Sequence, residues 1–401
     1  MAKARGISKV IAYAKEASFG ELAPVGSGKQ LRRTSADFTS TRESYESEEI
    51  RTDQQVADFR LGTRSSEGSI AGELSGGSYS ELIQAVLARD FTVGGTEAAV
   101  GFTIAASGLL HTITRTVGSW LTNFKVGDVV RISVAGDAAN QDNNLIVVGL
   151  TALVMTLRAV SATKLVPEAI TGATVKAIGK KTYIPKTAHT SDSFTVEEWY
   201  SDIQQSEVHS GVKIGSWSVT VPASGLVTTD FSAMGQGLKK TDTVQYFTSP
   251  APLTTTGVVA AVNGAVIING SATNACVTDF NFSVERAQEA SQCIGSEIAE
   301  TIFDGTIRVT GSMSVYFENG YLRDQFEKEE TVSFVLALSS GSQKDADVMT
   351  FVLPKAKLSS FSKSDAELGI MASCDFTAIL NDVTTGGLID STIMVTDTTL
   401  V

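Results

Sequence analysis

The sequence repeats part of itself at a fixed distance. The dipeptide Gly-Thr at Gly62 recurs at Gly305, and the dipeptide Gly-Ser at Gly68 recurs at Gly311, in both cases 243 residues later. In each copy an extended, turn-bounded segment leads into a short amphipathic segment. A match at a fixed offset indicates that one structural unit occurs twice in the chain.

The offset between the copies becomes smaller further along the chain. Ser193-Phe194 recurs as Ser333-Phe334, 140 residues later, and a stretch beginning at Asp230 recurs 145 residues later. The first copy therefore holds an extra block of about a hundred residues, which is the size of a small domain.

The extra block has the pattern of a separate β-rich domain. Glycines separate short apolar runs such as 129–134 and 145–150, which is typical of a small β-barrel or β-sandwich. The predicted organisation is an N-terminal arm at 1–30, repeat one at 31–90 and 187–248, an inserted β-domain at 91–186, a linker at 249–257 and repeat two at 258–401.

The local patterns predict a mainly β fold, a β-sandwich or barrel with short flanking helices. Residues 307–317 alternate between apolar and polar side chains, as a half-buried strand does. Residues 40–58 and 283–300 are long and largely polar, which predicts loops that a compact domain cannot bury. Ser78 and Glu81 have the spacing of a capping box, which predicts a helix with Ser78 as its N-cap.

Composition excludes several classes of protein. A net charge of −12 argues against a protein that grips nucleic acid, because phosphate neutralisation by Lys and Arg supplies most of that affinity. No apolar run is long enough to cross a bilayer, and the first residues lack the pattern of a signal peptide. The three cysteines are widely spaced and odd in number, so we expect reduced thiols and neither a disulfide framework nor a zinc ribbon.

The motifs of enzymes and cofactor sites are missing from the sequence. His111, His189 and His209 lie far apart without metal-binding spacing, and each is expected to be an ordinary surface histidine. The GSGK string at 26–29 lacks the remaining residues of a P-loop. We therefore expect no catalytic residues, no cofactor and no metal, and we expect the protein not to be an enzyme.

With these residues in view, the chain resembles the major tail tube proteins of long-tailed, siphovirus-like bacteriophages. The likeness is strongest over 31–87, continues through 193–200 and 211–222, and leaves the inserted block outside. It implies a β-sandwich flanked by a helix, whose sheet joins those of its neighbours in a ring that lines a channel. Stacked rings would form the tail tube of the virion, assembled in the cytoplasm of the bacterial host.

The resemblance and the duplication together predict a ring of three chains with pseudo-sixfold symmetry, in preference to a ring of six. The inserted domain would then project outward, and an acidic channel would let double-stranded DNA pass without specific binding. Further implied partners are the tape measure protein and the tail terminator and baseplate proteins, and no membrane is implied. The two polar loops are expected to reach the adjacent ring. The expected contact residues are Arg42, Glu46, Glu48, Glu49, Arg51, Asp53, Glu285, Arg286, Glu289 and Glu297.

Three alternative functions remain open from the sequence. The chain could be a capsid decoration protein or another phage β-protein with duplicated domains, which would not form tubes. An adhesin-like binding module would require export, which the N-terminus does not indicate. An enzyme is disfavoured by the absence of a metal or nucleophile cluster.

Overall fold

The computed structural model of the protein describes all residues except 1, 2, 108, 134, 135, 161–164, 271–275, 366, 368 and 384. The fold is mainly β, as the sequence predicts, with two short helices. Neither helix is long and apolar enough to span a membrane, and no other described helix is either. The elements before residue 95 are β1 (Lys9–Lys15), β2 (Lys29–Gln30), β3 (Ser35–Glu46), β4 (Phe59–Glu73), α1 (Ser80–Leu87) and β5 (Thr92–Val93).

The middle of the chain is built from strands, with one short 3-10 helix at Trp120–Thr122. Its first six strands are separated by turns, several of which contain glycine, and the next five continue to residue 242. They are β6 (Thr96–Ser107), β7 (Leu110–Thr114), β8 (Val129–Ser133), β9 (Leu145–Leu150), β10 (Val154–Ala159), β11 (Glu168–Ala177), β12 (Lys180–Tyr183), β13 (Phe194–Tyr200), β14 (Gln205–Pro222), β15 (Thr228–Gly235) and β16 (Gly237–Asp242).

The last third of the chain returns to the pattern of its beginning, with a long hairpin followed by a short helix and further strands. The elements are β17 (Gly264–Ile268), β18 (Val277–Ala290), β19 (Ile302–Tyr316), α2 (Tyr321–Glu327), β20 (Thr331–Ser339), β21 (Val348–Leu358), β22 (Ser362–Lys363), β23 (Met371–Ala378) and β24 (Met394–Asp397).

Eight strands form one continuous antiparallel layer, in the order β3-β4-β15-β14-β18-β19-β23-β22. We call it the polar-faced layer. Its first half is β3, β4, β15 and β14, and its second half is β18, β19, β23 and β22. The two halves are joined where β14 pairs with β18, from Ser216 opposite Glu285 to Pro222 opposite Asp279.

The two long hairpins of this layer, β3–β4 and β18–β19, have the same internal register. Phe38 lies opposite Gly68 in the first hairpin, and Phe282 lies opposite Gly311 in the second. A β-bulge follows Arg42 in β3, and another occurs at the matching place in β18. The first part of each segment that the sequence predicts to be a polar loop, 40–46 and 283–290, is therefore strand, and only the tips 47–58 and 291–301 lie outside strands.

The main core lies behind the polar-faced layer and is closed by a second set of strands. The first part of this set is β1, β13 and the start of β14, and the second part is β17, β20, β21 and β24. Trp217 is fully buried at the centre, where its ring contacts Phe231, Phe282 and Phe351. One core therefore serves both halves of the polar-faced layer.

The middle strands close into a six-stranded barrel, in the order β10-β7-β6-β11-β8-β9. Its apolar core continues into the back of β20 and β21, where Val335, Ala337 and Val352 pack against it. Gly127 adopts a φ of +92°, and a Cβ at this position would lie 2.1 Å from the Val352 side chain. The barrel thus packs on the second half of the molecule, although the chain enters and leaves it from the first.

The structure corrects three predictions about local structure. The N-terminal arm is partly wrong, because residues 9–15 form β1, whose side chains Ile11 and Tyr13 are buried against β13. Ser78 does not cap α1, which begins at Ser80, because the Ser78 hydroxyl bonds to those of Ser75 and Thr254 instead.

The third correction concerns the offset between β15 and β23. The register pairs Ala233 with Gly68 and Phe376 with Gly311, so the matching residues are 143 apart and not 145. A shift of two residues keeps every side chain on the same face of a strand, so the sequence pattern could not reveal the error.

Candidate assembly surfaces

The exposed side of the polar-faced layer carries small hydroxyl side chains and carboxylates. Because side chains alternate along a strand, the residues between the buried ones all point to this side. Hydrogen bonds link them across strands, for example Ser69 Oγ donating to Asp37 Oδ1 at 2.7 Å, and Ser216 and Ser232 sharing a bond of 2.6 Å. Its charged residues include Asp37, Glu67, Asp230, Glu285, Asp375 and Arg308.

The polar-faced layer ends in two unpaired edges among the residues that the structure describes. One is the outer side of β3 at residues 36–42, which we call the β3 edge. The other is the outer side of residues 360–364, which we call the β22 edge. An unpaired strand edge is a template for pairing with another strand, so these two edges are candidates for self-association.

An ion pair from the second set of strands covers part of the β3 edge. Lys9 Nζ lies 2.7 Å from Glu198 Oε1, and both side chains are nearly buried. The Phe38 N–H donates to Glu198 Oε1 at 3.2 Å, and Lys9 Nζ donates to the Ala36 carbonyl at 2.9 Å. Tyr200 donates its hydroxyl to the other oxygen of Glu198 at 3.1 Å. We call Lys9 and Glu198 the edge cap, because they occupy backbone groups that a neighbouring strand would bind.

Two further polar side chains lie beside the edge cap. The ligand atoms of Glu198, Glu207 and His209 lie within 4.8 Å of one another. Burial raises the pKa of Glu207, with a contribution from Glu198, and burial together with Lys9 lowers the pKa of His209 to about 4. Because the Lys9 ammonium already supplies the positive charge beside these carboxylates, the cluster is a poor candidate for a metal centre. His209 and His111 are buried, so the prediction of surface histidines is wrong for both.

The residues predicted to be contacts in the first polar segment all lie on the surface of the first hairpin. Arg51 Nη2 lies 2.8 Å from Asp53 Oδ2, and this hydrogen bond lowers the pKa of Asp53. Apolar side chains accompany them, since Ile50 is fully exposed and Val56 is largely so. The tip thus presents a mixed charged and apolar surface. The six residues are Arg42, Glu46, Glu48, Glu49, Arg51 and Asp53.

The residues predicted to be contacts in the second polar segment differ in where they lie. Arg286 is buried inside the chain, where it pairs with Asp304 at 3.2 Å and donates to the carbonyl of Ala85 in α1, so it is not an external contact. Glu297 pairs with Arg42 of the first hairpin at 3.2 Å. The tip that contains Glu297 therefore lies along the first hairpin of the same chain, whereas Glu285 and Glu289 remain exposed.

A partly apolar cavity of about 340 Å³ lies near the β22 edge. It is lined by Val315, Phe317, Leu322 and Phe361, among others. Phe361 directly precedes β22, at the place that fully buried Trp217 holds in β14. The second half of the molecule thus leaves apolar surface uncovered at the position where the first half is closed.

Sequence reasoning missed the edge cap and the two edges. Lys9 and Glu198 carry no motif, and they lie 189 residues apart until the pairing of β1 with β13 brings them together. An Ile-Ala-Tyr-Ala run within β1 was the signal that could have shown a buried strand there.

Comparisons with known proteins show the family of the chain. A family model described as phage tail tube protein matches residues 6–378, which is nearly the whole chain and includes both edges. The comparison with curated proteins found no match.

Proposed function

Because the chain belongs to the phage tail tube protein family, which is a structural family, we propose that three copies close into a ring through the two edges of the polar-faced layer. The rings stack into the tube of the virion tail. The two halves of the chain are duplicated tube domains, so the ring has pseudo-sixfold symmetry. The barrel is a domain inserted in the first of them, at 91–186.

The joint between β14 and β18 is the observation that carries this proposal. β18 corresponds to β3, because Phe282 and Phe38 hold the same place opposite a hairpin glycine. The strand that corresponds to β14 is β21 with β22, since Ser362 pairs with β23 as Ser218 pairs with β15. Repeating the internal joint therefore places the β22 edge of one copy on the β3 edge of the next.

The register of the proposed joint follows from the internal one. Ser218 lies opposite Ser283 within the chain, so Ser362 of one copy lies opposite Thr39 of the next. Arg286 reaches the end of α1 within the chain, so Arg42, at the matching bulge, reaches the end of α2 in the neighbouring copy. The same contact covers the cavity beside Phe361.

The size of the closed layer suits a channel. Eight strands from each of three copies make a barrel of 24 strands, and a spacing of roughly 4.8 Å gives a width of roughly 37 Å between backbones before strand tilt widens it. Closed barrels with fewer strands already leave aqueous lumens. Ring closure also removes both strand edges, which are an aggregation liability in the free subunit.

The polar face lines the channel in this arrangement. Its carboxylates repel the phosphates of DNA, and its hydroxyl groups give a wettable surface that lacks a basic patch for phosphate binding. Double-stranded DNA therefore passes without specific binding. A ring whose lumen carried net positive charge would contradict this part of the proposal.

The barrel lies on the far side of the second set of strands from the polar face. Along β20, Phe334 and Leu336 point to the main core while Val335 and Ala337 point to the barrel. Three barrels per ring therefore project outward from the tube. The exposed tip at 47–58 contacts neighbouring rings, and the tube ends meet the tape measure, terminator and baseplate proteins.

The joint can be tested by cysteine cross-linking on purified full-length protein. In a background with Cys276→Ser and Cys293→Ser, Thr39→Cys combined with Ser362→Cys should give disulfide-linked oligomers of up to three chains. Thr39→Cys combined with Ser373→Cys is the matched control, because Ser373 lies one strand further from the edge. Equal cross-linking of both pairs, or hollow tubes absent from electron micrographs, would contradict the proposal.

A further inference from the structure

We infer that the edge cap of Lys9 and Glu198 is a displaceable cover of the β3 edge, which residues 360–364 of a second copy must remove in order to dock. The inference rests on the proposed ring. It assigns to these two side chains a role in deciding when a free subunit polymerises.

The atoms that the edge cap binds are those that a neighbouring strand needs. In an antiparallel sheet, alternate residues direct both N–H and C=O to the same side, so Ala36 and Phe38 both point outward from β3. Lys9 takes the Ala36 carbonyl, and Glu198 takes the Phe38 N–H. The matching residues of β18, Phe280 and Phe282, lie opposite β14 within the chain.

The second half of the molecule shows which residues occupy the positions of Lys9 and Glu198 where the corresponding strand edge is paired within the chain. Glu198 corresponds to Leu336, because the bulge between β13 and β14 after Phe194 matches the bulge between β20 and β21 after Val332. Lys9 lies two residues before Ile11, the partner of Glu198, and it corresponds to Gly264, two residues before the partner of Leu336. The charged pair is thus found beside the open edge, and uncharged residues are found beside the closed one.

The residues next to Glu198 show the same difference between the two halves. Glu207 lies opposite Glu198, and Phe351 lies opposite Leu336. The next residue on that face is His209 in the first case and Leu353 in the second, and Leu336, Phe351 and Leu353 are all buried. The fold therefore does not require a polar cluster here, and the cluster coincides with the edge that lacks a strand.

An edge covered by side chains suppresses pairing without abolishing it. A charged pair beside the strand satisfies its backbone groups in the free subunit, which protects against uncontrolled association. A strand of the correct register replaces those bonds with its own and also covers the cavity beside Phe361. Wrong partners gain less and leave the edge cap in place, so the device favours ordered growth of the tube.

The experiment compares assembly of the full-length chain with and without the edge cap. Lys9→Met combined with Glu198→Leu removes both charges together and places leucine where the second half has Leu336, so neither member of the ion pair is left unpaired. The critical concentration for assembly, measured by light scattering, should fall about fivefold, the factor that corresponds to one net hydrogen bond. Lys15→Met is the control, because its pair with Asp192 at 2.8 Å also joins β1 to the β13 side but lies away from the β3 edge.

The outcomes separate this inference from the proposed ring. If the Thr39→Cys and Ser362→Cys cross-link forms but the double variant assembles no more readily than the Lys15→Met control, the ring holds and the edge cap is structural only. If neither the cross-link nor tubes form, the proposed function fails first. Should the double variant not fold, as judged by circular dichroism, Glu198→Gln decides, since it removes the ion pair while keeping the side-chain shape.

Discussion

The two halves of the polar-faced layer share one geometry but differ in what surrounds them. At the internal joint, α1 buries five side chains, and Arg286 fixes its end. At the matching place in the second half, α2 buries Leu322 alone among its residues, and Phe361 borders a cavity. The difference lies at the boundary and not in the strands, which carry the same bulge and the same Phe–Gly pair.

This comparison explains how one sheet can be stable within a single chain and still have free edges for pairing with another chain. The internal joint supplies apolar burial that each chain has before it meets another copy. The two outer edges have no partner strand among the described residues. Residues at the internal joint should therefore control subunit stability, and their counterparts at the outer edges should control assembly.

The largest expected difference in subunit stability is between a variant of Trp217 and a variant of its counterpart Phe361. Trp217→Ala removes a fully buried ring and should lower the free energy of unfolding of the subunit by about 3–5 kcal/mol. Phe361→Ala, at a partly covered site, should cost the subunit less than half as much yet abolish most tube formation. Denaturant unfolding and electron microscopy of the two variants measure this, and equal loss of stability would break the comparison.

The next effect concerns Asp304, which joins Arg286 and Lys213 near the internal joint. Burial alone would raise the pKa of Asp304, but hydrogen bonds from Lys213 and Ser191 and the nearby Arg286 lower it overall. A lowered pKa in the folded state stabilises the protein above the unfolded value of 3.8 and loses that stabilisation as the pH falls through the folded pKa.

Asp304→Asn should therefore destabilise the subunit at pH 7 by about 3 kcal/mol, the scale for breaking a buried ion pair. The difference from the unmodified protein should shrink as the pH falls below about 4. Urea titrations at pH 7, 5 and 3.5 provide the measurement, and a difference that grows on acidification would contradict the sign. Asp382→Asn is the control, because its pair with Lys355 is exposed.

A smaller effect distinguishes the two hairpin glycines. A Cβ on Gly68 would lie 2.2 Å from the Phe38 ring, whereas one on Gly311 would lie 2.3 Å from the backbone oxygen of Asn281. A side chain can rotate away from an added methyl group, but the backbone cannot. Gly311→Ala should therefore lower the free energy of unfolding more than Gly68→Ala does, with both losses within about 1–3 kcal/mol. Thermal unfolding measures both, and the reverse order would show that the backbone contact at Gly311 does not decide the cost.

The smallest effect is expected at the exposed tip of the first hairpin. Arg51→Ala removes an exposed pair with Asp53 and should change subunit stability by less than about 1 kcal/mol. If the tip contacts neighbouring rings as proposed, the same variant shortens the tubes seen on electron micrographs. Unchanged tube length would show that Arg51 is not part of the proposed contact.

The sequence predicted the elements whose residues alternate by burial. The strand β19 followed from the alternation at 307–317, and the barrel strands β8 and β9 followed from apolar runs between glycines. The outer parts of both hairpins were predicted as loops, because they extend beyond the core and carry polar residues on both faces. A strand without a buried face leaves no periodic signal.

The candidate site was less predictable than the fold. Arg42 and Arg286 occupy equivalent bulges, yet one is exposed and the other buried, because a strand of the same chain covers only the second. Lys9 and Glu198 are ordinary charged residues until the pairing of β1 with β13 places them on the β3 edge. Such relations arise from long-range strand order, which local pattern does not encode.

The most direct test of the account is the number of chains in one ring, counted by native mass spectrometry of rings released from assembled tubes and by cryo-electron microscopy of the tubes themselves. The account predicts three chains, six similar sheet segments around the lumen and three outward barrels. Six chains per ring would contradict it, because one half of each chain would then lie outside the lumen and the joint between β14 and β18 would not be the model for the contact between subunits.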